Sequence, residues 1–371
     1  MEERTDAARV VPSTPATDST RIAALDVARA LALVGVIVMN WVAKFTDTAR
    51  REDNSVGPEA LIRLLDPVTG VLATRFASVF VMVAGIGASL MARGRRPLEE
   101  TRWCLRRRGV LLFVVGFFFE WIWPGEILHF YGCYFVVASL VLGFSGRGLL
   151  ALCGLVVAAH VALRVALFRD PGGFDWLLTA DLGDPKGTVA DLLIAGTHPL
   201  LPWLVFVFVG LWIGRRDLDD RSLHRRLIVV GGTLLVFGYA ASSVATWVYS
   251  GEWEWVFHTR PFEYMPLYVV VTLGSSLAAV GLVFLAVRTR PTGPVTQALA
   301  RAGQMTFSLY LLHGVVGYAL IKLVWTGRDL SVPTALFVSV AFWIAALAAA
   351  SAWRSRVGTG PAELIYRRFG G

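Results

Sequence analysis

Long apolar runs recur along the chain, and each is bounded by Arg, Pro or Gly residues. The first, RIAALDVARALALVGVIVMNW, extends from residue 21 to residue 41. A helical run of about 20 apolar residues rises ~1.5 Å per residue, which is enough to cross a ~30 Å hydrocarbon core. Runs of this kind lie near residues 25–45, 74–92, 109–123, 127–144, 147–167, 199–214, 227–249, 266–287, 304–324 and 332–353. The pattern predicts an all-α, polytopic bundle of about ten transmembrane helices.

The composition excludes an ordinary soluble domain. Of the 371 residues, 56% are hydrophobic and only 17% are charged, and the mean hydropathy is +0.60. Residues 1–20 are rich in Ser, Thr, Pro and Ala and show no apolar periodicity, which predicts a disordered cytoplasmic tail. The predicted bundle then occupies residues 21–356, and residues 357–371 form a second cytoplasmic tail. The first apolar run lacks a small-residue cleavage site, so we expect it to be a retained span.

The basic residues predict the orientation in the membrane. With the N-terminus inside, 24 of the 35 Lys and Arg residues fall in inner segments. Basic residues accumulate on the cytoplasmic side, so we expect both termini of this multi-pass membrane protein in the cytoplasm. Topology and attraction to anionic membrane lipid account for the net charge of +8, without a nucleic-acid partner.

Polar residues mark both ends of the first run. Asp26 and Arg29 are three residues apart and share one helix face, where they can form an ion pair. Alternatively, Arg29, together with Arg21, binds an anionic group that enters from the cytoplasm. Asn40 lies fourteen residues beyond Asp26, or ~21 Å along the axis. Its amide either joins two helices or orients a substrate carbonyl.

Histidine is the side chain best suited to remove a proton near neutral pH, and the chain has six. We select His129 as the candidate base, because Glu126 lies three residues before it and can orient the ring. His313, nine residues into the ninth predicted span, is the second candidate. Of the other four, His224 and His258 are interpreted as solvated bystanders, His160 as a helix-packing residue, and His198 as a residue just outside the first turn of the sixth predicted span.

The three cysteines do not indicate a metal site. Cys104 falls in a predicted inner loop, whereas Cys133 and Cys153 fall in two different predicted spans. Neither a disulfide framework nor a zinc-binding spacing emerges from them, and we expect no metal.

Several stretches resemble one family of membrane enzymes. RIAALDVARALALVGVIVMN is similar to the first-span motif of membrane acyltransferases of the heparan-alpha-glucosaminide N-acetyltransferase type and of the related YeiB-like group (domain of unknown function 418). RFASVFVMVAGIGASL, HPLLPWLVFVFVGLWIGR, AGQMTFSLYLLH and GPAELIYRR agree in order along the chain. The last two are especially similar to the YeiB-like branch.

The resemblance implies transfer of an acyl group, commonly acetyl, from cytoplasmic acyl-CoA (acetyl-CoA) to an acceptor at or across the membrane. It also implies an active-site role for Asn40, which matches the Asn of the family motif. Two positions depart from the family pattern. Ala30 stands where the motif usually has Gly, and the following stretch, WVAKFTDTARREDN, contains no His, whereas the glucosaminide enzymes use one there.

Other functional classes remain open at this point. The acceptor is a small molecule, a glycan or a lipid-linked compound. The same polar groups also suit a transporter or flippase of a small anionic or lipid-linked compound, for which broken helices and inverted repeats would be expected. A non-catalytic scaffold is the third class. Gly-rich helix faces make a homodimer plausible.

The charge asymmetry predicts the result of a topology experiment. Reporter fusions after residue 100 and after residue 220 should be cytoplasmic, and a fusion after residue 180 should be external. An external reporter at residue 100 would contradict the assignment of the spans.

Overall fold

The computed structural model describes residues 16–46, 58–94, 96–326 and 328–371, with side chains from Ala23 onward. Helices and irregular segments make up the whole of this part of the chain, and it contains no strand, which confirms the predicted all-α class. Its α-helices are α1 (Ala16–Phe45), α2 (Glu59–Leu65), α3 (Arg75–Ala92), α4 (Leu98–Phe119), α5 (Leu128–Val141), α6 (Gly146–Arg169), α7 (Pro185–Ala190), α8 (Leu200–Gly214), α9 (Arg221–Val248), α10 (Pro266–Thr289), α11 (Pro294–Gly303), α12 (Thr306–Leu323), α13 (Val332–Arg356) and α14 (Pro361–Gly370).

Each predicted apolar run coincides with a helix, but fewer than ten of these helices qualify as spans. Seven are long and apolar enough to cross a membrane, namely α1, α3, α6, α9, α10, α12 and α13. The bent pair that contains α8 makes an eighth. The first half of α4 carries several charged residues, and α5 has only 14 residues. Length and composition therefore support seven or eight spans among the described helices.

Helix α1 lies at the centre of the bundle. It contacts α3, α10, α11, α12 and α13. Leu33, Ile37 and Trp41 on this helix are completely buried. Because neighbours surround α1, the polar residues near its two ends must find partners inside the protein.

Glycines allow close approach between three pairs of neighbouring helices. A Cβ atom placed at any of them would collide with the backbone of the opposite helix. Small residues of this kind let helix backbones pack closely in membranes. The pairs are Gly85 with Gly210, Gly109 with Gly132, and Gly231 with Gly274. They hold α3 against α8, α4 against α5, and α9 against α10.

The chain bends sharply before α8. The helical segment Pro185–Ala195 and α8 meet at 53°. The Tyr264 hydroxyl donates to the Thr197 carbonyl at 2.6 Å, and the Tyr134 hydroxyl donates to the His198 carbonyl. Irregular backbone is tolerated at membrane depth when protein groups satisfy it in this way. The bend therefore presents Thr197 and His198 as ordered, non-helical residues.

Parts of both predicted tails are helical in the described residues. Helix α1 already begins at Ala16, and residues 1–15 lie outside the described residues. Near the C-terminus, α14 contacts α4 and α12. The Glu363 carboxylate accepts hydrogen bonds from the backbone N–H groups of Phe307 and Ser308, and so caps α12. Residues 361–370 thus belong to the bundle, because they bury a carboxylate that satisfies the first turn of α12.

Candidate functional site

Two cavities lie along α1, one near each end. The cavity at the predicted cytoplasmic end has a volume of about 520 Å³ and is called here the arginine cavity, after Arg29, Arg108, Arg354 and Arg367 in its walls. The cavity at the other end, of about 190 Å³, is called the asparagine cavity, after Asn40 in its wall. Tyr310 lines both. The larger volume lies in the range of typical small-molecule sites.

The wall of the arginine cavity contains the predicted pair of Asp26 and Arg29. Nη1 of Arg29 lies 2.9 Å from Oδ1 of Asp26. Gln304 donates from Nε2 to the other carboxylate oxygen, also at 2.9 Å. Gly303 packs directly on the backbone of Asp26, where a larger residue would collide, and so brings Gln304 into reach. The carboxylate is fully engaged, whereas the side chain of Arg21 lies outside the described residues.

The arginine cavity also holds buried polar atoms that lack partners. The Tyr131 hydroxyl and Nε of Arg108 are both inaccessible and make no hydrogen bond with any described residue. The acidic residues of the cavity wall, Asp26 and Glu363, are already engaged by protein donors. Buried donors without acceptors are uncommon in native proteins. The four arginines of the wall outnumber its two acidic residues, which favours an anionic ligand.

The asparagine cavity is built on a contact between α1 and α12. Nδ2 of Asn40 lies 3.2 Å from Nε2 of His313. Nδ1 of His313 donates to the carbonyl oxygen of Tyr310, so Nε2 is the acceptor and the Asn40 amide is the donor. The Trp41 indole also donates to the carbonyl of His313, at 3.3 Å. The amide of Asn40 is thereby oriented, and its second N–H group, which makes no hydrogen bond to a described residue, is available to a ligand.

His129 lies outside both cavity walls, and both of its ring nitrogens contact carboxylates. Nδ1 lies 2.5 Å from Oε1 of Glu126, and Nε2 lies 2.8 Å from Oδ2 of Asp191. Ionised carboxylates only accept hydrogen bonds, so both nitrogens donate and neither can take a proton. This geometry argues against the predicted role of His129 as the base. The partner that changes the interpretation, Asp191, is 62 residues away in the chain.

The same cluster offers a possible set of metal ligands. Donor atoms of Glu120, Glu126 and His129 lie within 4.8 Å of one another. However, Glu120 accepts hydrogen bonds from the backbone N–H groups of Gly125 and Glu126. The Glu126 carboxylate likewise accepts from the backbone at residues 128 and 129. Hydrogen bonds within the protein explain the arrangement, and the absence of a metal stays a prediction.

The structure brings one unselected histidine into the asparagine cavity. His198 was interpreted from the sequence as a residue just before a helix, and the bend before α8 places it in the wall with Asn40. The signal in the sequence was the flanking Pro199 and Pro202, which interrupt regular helix and expose a side chain at the break.

The contacts of His129 predict a loss of stability on its removal. His129→Ala would leave Glu126 and Asp191 buried without their shared partner, which typically costs ~3–5 kcal/mol. We expect a clearly lower midpoint of thermal unfolding in detergent, measured by fluorescence-detected gel filtration. His258→Ala, in the loop before α10, is the control and should change the midpoint less, because its partners Glu254 and Glu263 are partly exposed to solvent. Wild-type stability of His129→Ala together with lost turnover would restore the predicted base role.

Comparison with known families agrees with these observations. The family model of the heparan-alpha-glucosaminide N-acetyltransferase catalytic region matches residues 21–228, and a model described as a protein of unknown function (DUF418) matches residues 201–370. Comparison with curated proteins gives no match. The first model covers more than half of the chain, including Asp26, Arg29 and Asn40, and confirms the resemblance seen in the sequence. The chain belongs to the heparan-alpha-glucosaminide N-acetyltransferase catalytic family, a family of membrane acetyltransferase-like proteins.

Proposed function

We propose that this membrane protein transfers an acyl group, in the first instance acetyl, from acyl-CoA to a hydroxyl or amine acceptor. The observation that carries the proposal is the pair of cavities along α1, which share Tyr310 as a common wall residue. One cavity suits an anionic donor, and the other holds an oriented amide. A donor and an acceptor that approach from opposite sides would meet at Tyr310.

The arginine cavity is the proposed site of the donor. Coenzyme A carries several phosphate negative charges, and Arg29, Arg108, Arg354 and Arg367 provide cations in one cavity wall. Arginine forms paired hydrogen bonds with phosphate oxygens more readily than lysine does. The charge asymmetry of the sequence predicts that this end faces the cytoplasm, where acyl-CoA is made. The proposed location is therefore a bacterial plasma membrane with the donor site inside.

The asparagine cavity is the proposed site of the reaction. Its free amide N–H can donate to the carbonyl oxygen of the thioester as negative charge develops there. His313 holds that amide in place and is a positioning residue in this scheme. The acceptor, a sugar, a lipid-linked compound or a hydroxylated natural product, would enter from the opposite side. Its hydroxyl or amine attacks the carbonyl carbon, the new bond forms, and the carbon–sulfur bond breaks to release coenzyme A.

One observation favours a second candidate function. The bend of 53° before α8 makes a discontinuous helix, which is a common feature of secondary transporters. A transporter or flippase of a small anionic or lipid-linked compound would use the same two cavities as alternately open sites. Proteoliposomes loaded with acetyl-CoA distinguish the two functions, because only the acyltransferase releases free coenzyme A thiol.

Removal of Arg29 should weaken binding of the donor. A hydrogen bond to a charged group contributes ~1.5–3 kcal/mol, which corresponds to a ~10- to 100-fold rise in the Kd of acetyl-CoA for Arg29→Ala. Isothermal titration calorimetry on detergent-purified protein measures this change. Arg368→Ala, an exposed arginine of α14 outside the cavity wall, is the matched control. An unchanged Kd in a folded Arg29→Ala variant would contradict the proposed donor site.

Removal of Asn40 should slow turnover without weakening donor binding. Loss of one donor to a developing oxyanion commonly costs ~10²-fold or more in rate. We expect this loss for Asn40→Ala, and a smaller loss for His313→Ala, which only frees the amide. The assay follows release of coenzyme A from labelled acetyl-CoA in proteoliposomes, with glucosamine and glucose as test acceptors. Undiminished release from Asn40→Ala would exclude the amide from the mechanism.

A further inference from the structure

We infer that His198 is the general base that removes the proton from the acceptor in the asparagine cavity. The inference deepens the proposed acyl transfer and rests on it. It begins from the walls of that cavity. Within the described residues, the titratable side chains that line it are Lys44, His198 and Tyr310.

The other two titratable groups of the cavity are poorly suited to accept a proton. The Tyr310 hydroxyl accepts a hydrogen bond from the backbone N–H of Ile127 at 3.0 Å, and a phenol is normally protonated at neutral pH. Lys44 is exposed, and an ammonium that carries its proton has no lone pair to offer. A neutral imidazole has one ring nitrogen with a lone pair that can accept a proton, and His198 is the imidazole in this wall.

The other histidines are engaged by the protein or lie outside the cavity walls, where the buried Nδ1 atoms of His160 and His224 have no partner among the described residues. His129 donates to two carboxylates, and His313 both donates to a carbonyl and accepts from Asn40. His258 lies in the outer loop with Glu263 at 2.9 Å. His160 and His224 each contact a backbone carbonyl and are buried away from both cavities. His198 is therefore the histidine that lies in the wall of the asparagine cavity, and its imidazole can accept a proton.

His198 itself is ordered and has one ring nitrogen free. Nδ1 lies 3.0 Å from the Thr197 hydroxyl oxygen, whereas Nε2 makes no hydrogen bond to any residue that the structure describes. The rings of Phe130 and Trp203 pack at 5.9 Å and 4.6 Å between centroids. Tyr134 and Tyr264 hold the carbonyls of residues 198 and 197. When Nδ1 donates to Thr197, Nε2 presents a lone pair, as a base requires.

Each proton in the proposed acyl-transfer step is accounted for. Nε2 of His198 takes the proton of the acceptor hydroxyl or amine as its oxygen or nitrogen bonds to the thioester carbon. Asn40 donates to the carbonyl oxygen that becomes negative. When the carbon–sulfur bond breaks, the imidazolium returns the proton to the thiolate, which leaves as the thiol of coenzyme A. The imidazole is then neutral again.

Chemical labelling tests whether His198 presents a free nitrogen, without any assumption about the acceptor. The wild-type protein in detergent is treated with diethyl pyrocarbonate at pH 7, and labelled peptides are quantified by mass spectrometry. We expect modification at His198 at least ten times faster than at His129 or His313, whose nitrogens are engaged. Labelling of His129 or His313 at the same rate, or resistance of His198, would overturn the inference.

Turnover tests whether that nitrogen acts as the base. His198→Ala and His198→Gln should each release coenzyme A from acetyl-CoA at least 100-fold more slowly than wild type, with an unchanged Kd for acetyl-CoA. Added imidazole should restore part of the rate of His198→Ala, because the small base can enter the space vacated by the ring. His258→Ala is the matched control and should keep the wild-type rate.

The outcomes separate this inference from the proposed function. Wild-type rates in both folded His198 variants would exclude His198 as the base and leave the acyltransfer proposal intact. Slow variants that imidazole does not rescue would overturn the base role as well. A wild-type protein that binds no acetyl-CoA would contradict the proposed function itself. The labelling comparison would still decide whether His198 has a free ring nitrogen.

Discussion

Both cavities depend on one packing contact. Helix α1 packs against the stretch of chain that contains Gln304 and α12. Helix α1 is surrounded by neighbours, so Asp26 is buried and Asn40 is partly buried. Gln304 satisfies Asp26 at one end, and His313 satisfies Asn40 at the other. Because both partners come from one stretch of chain, a shift of α12 along α1 would break the two hydrogen bonds together. The relative position of the two cavities is thereby fixed by side-chain hydrogen bonding.

The sequence alone predicted those features that depend on residues close together in the chain. Apolar runs predicted the helices, and the three-residue spacing of Asp26 and Arg29 predicted their ion pair, because both depend only on helix periodicity. The number of spans depends on more than the presence of apolar runs. The runs in α4 and α5 are apolar, but one helix begins with charged turns and the other is too short to cross the core alone.

Contacts between distant parts of the chain could not be predicted in the same way. Asn40 was selected correctly as a residue that needs a partner, yet its partner is 273 residues away. The predicted base role of His129 rested on Glu126, which is three residues before it, whereas Asp191 becomes a neighbour only through the bend before α8. His198 was passed over for a related reason, since only folding places it beside Asn40. A single sequence shows which polar groups are costly to bury, and the packing of helices decides what each one does.

The position of Tyr310 between the two cavities bears on whether protons can leak through the protein. Its hydroxyl is held by the backbone N–H of Ile127, and its side chain separates two cavities that approach each other from opposite ends of the bundle. A continuous file of water through this point would let protons leak down the electrochemical gradient, which drives each elementary charge with ~2.3 kcal/mol per 100 mV. The Tyr310 ring, which lines both cavities, therefore stands at the point where such a leak would have to be blocked.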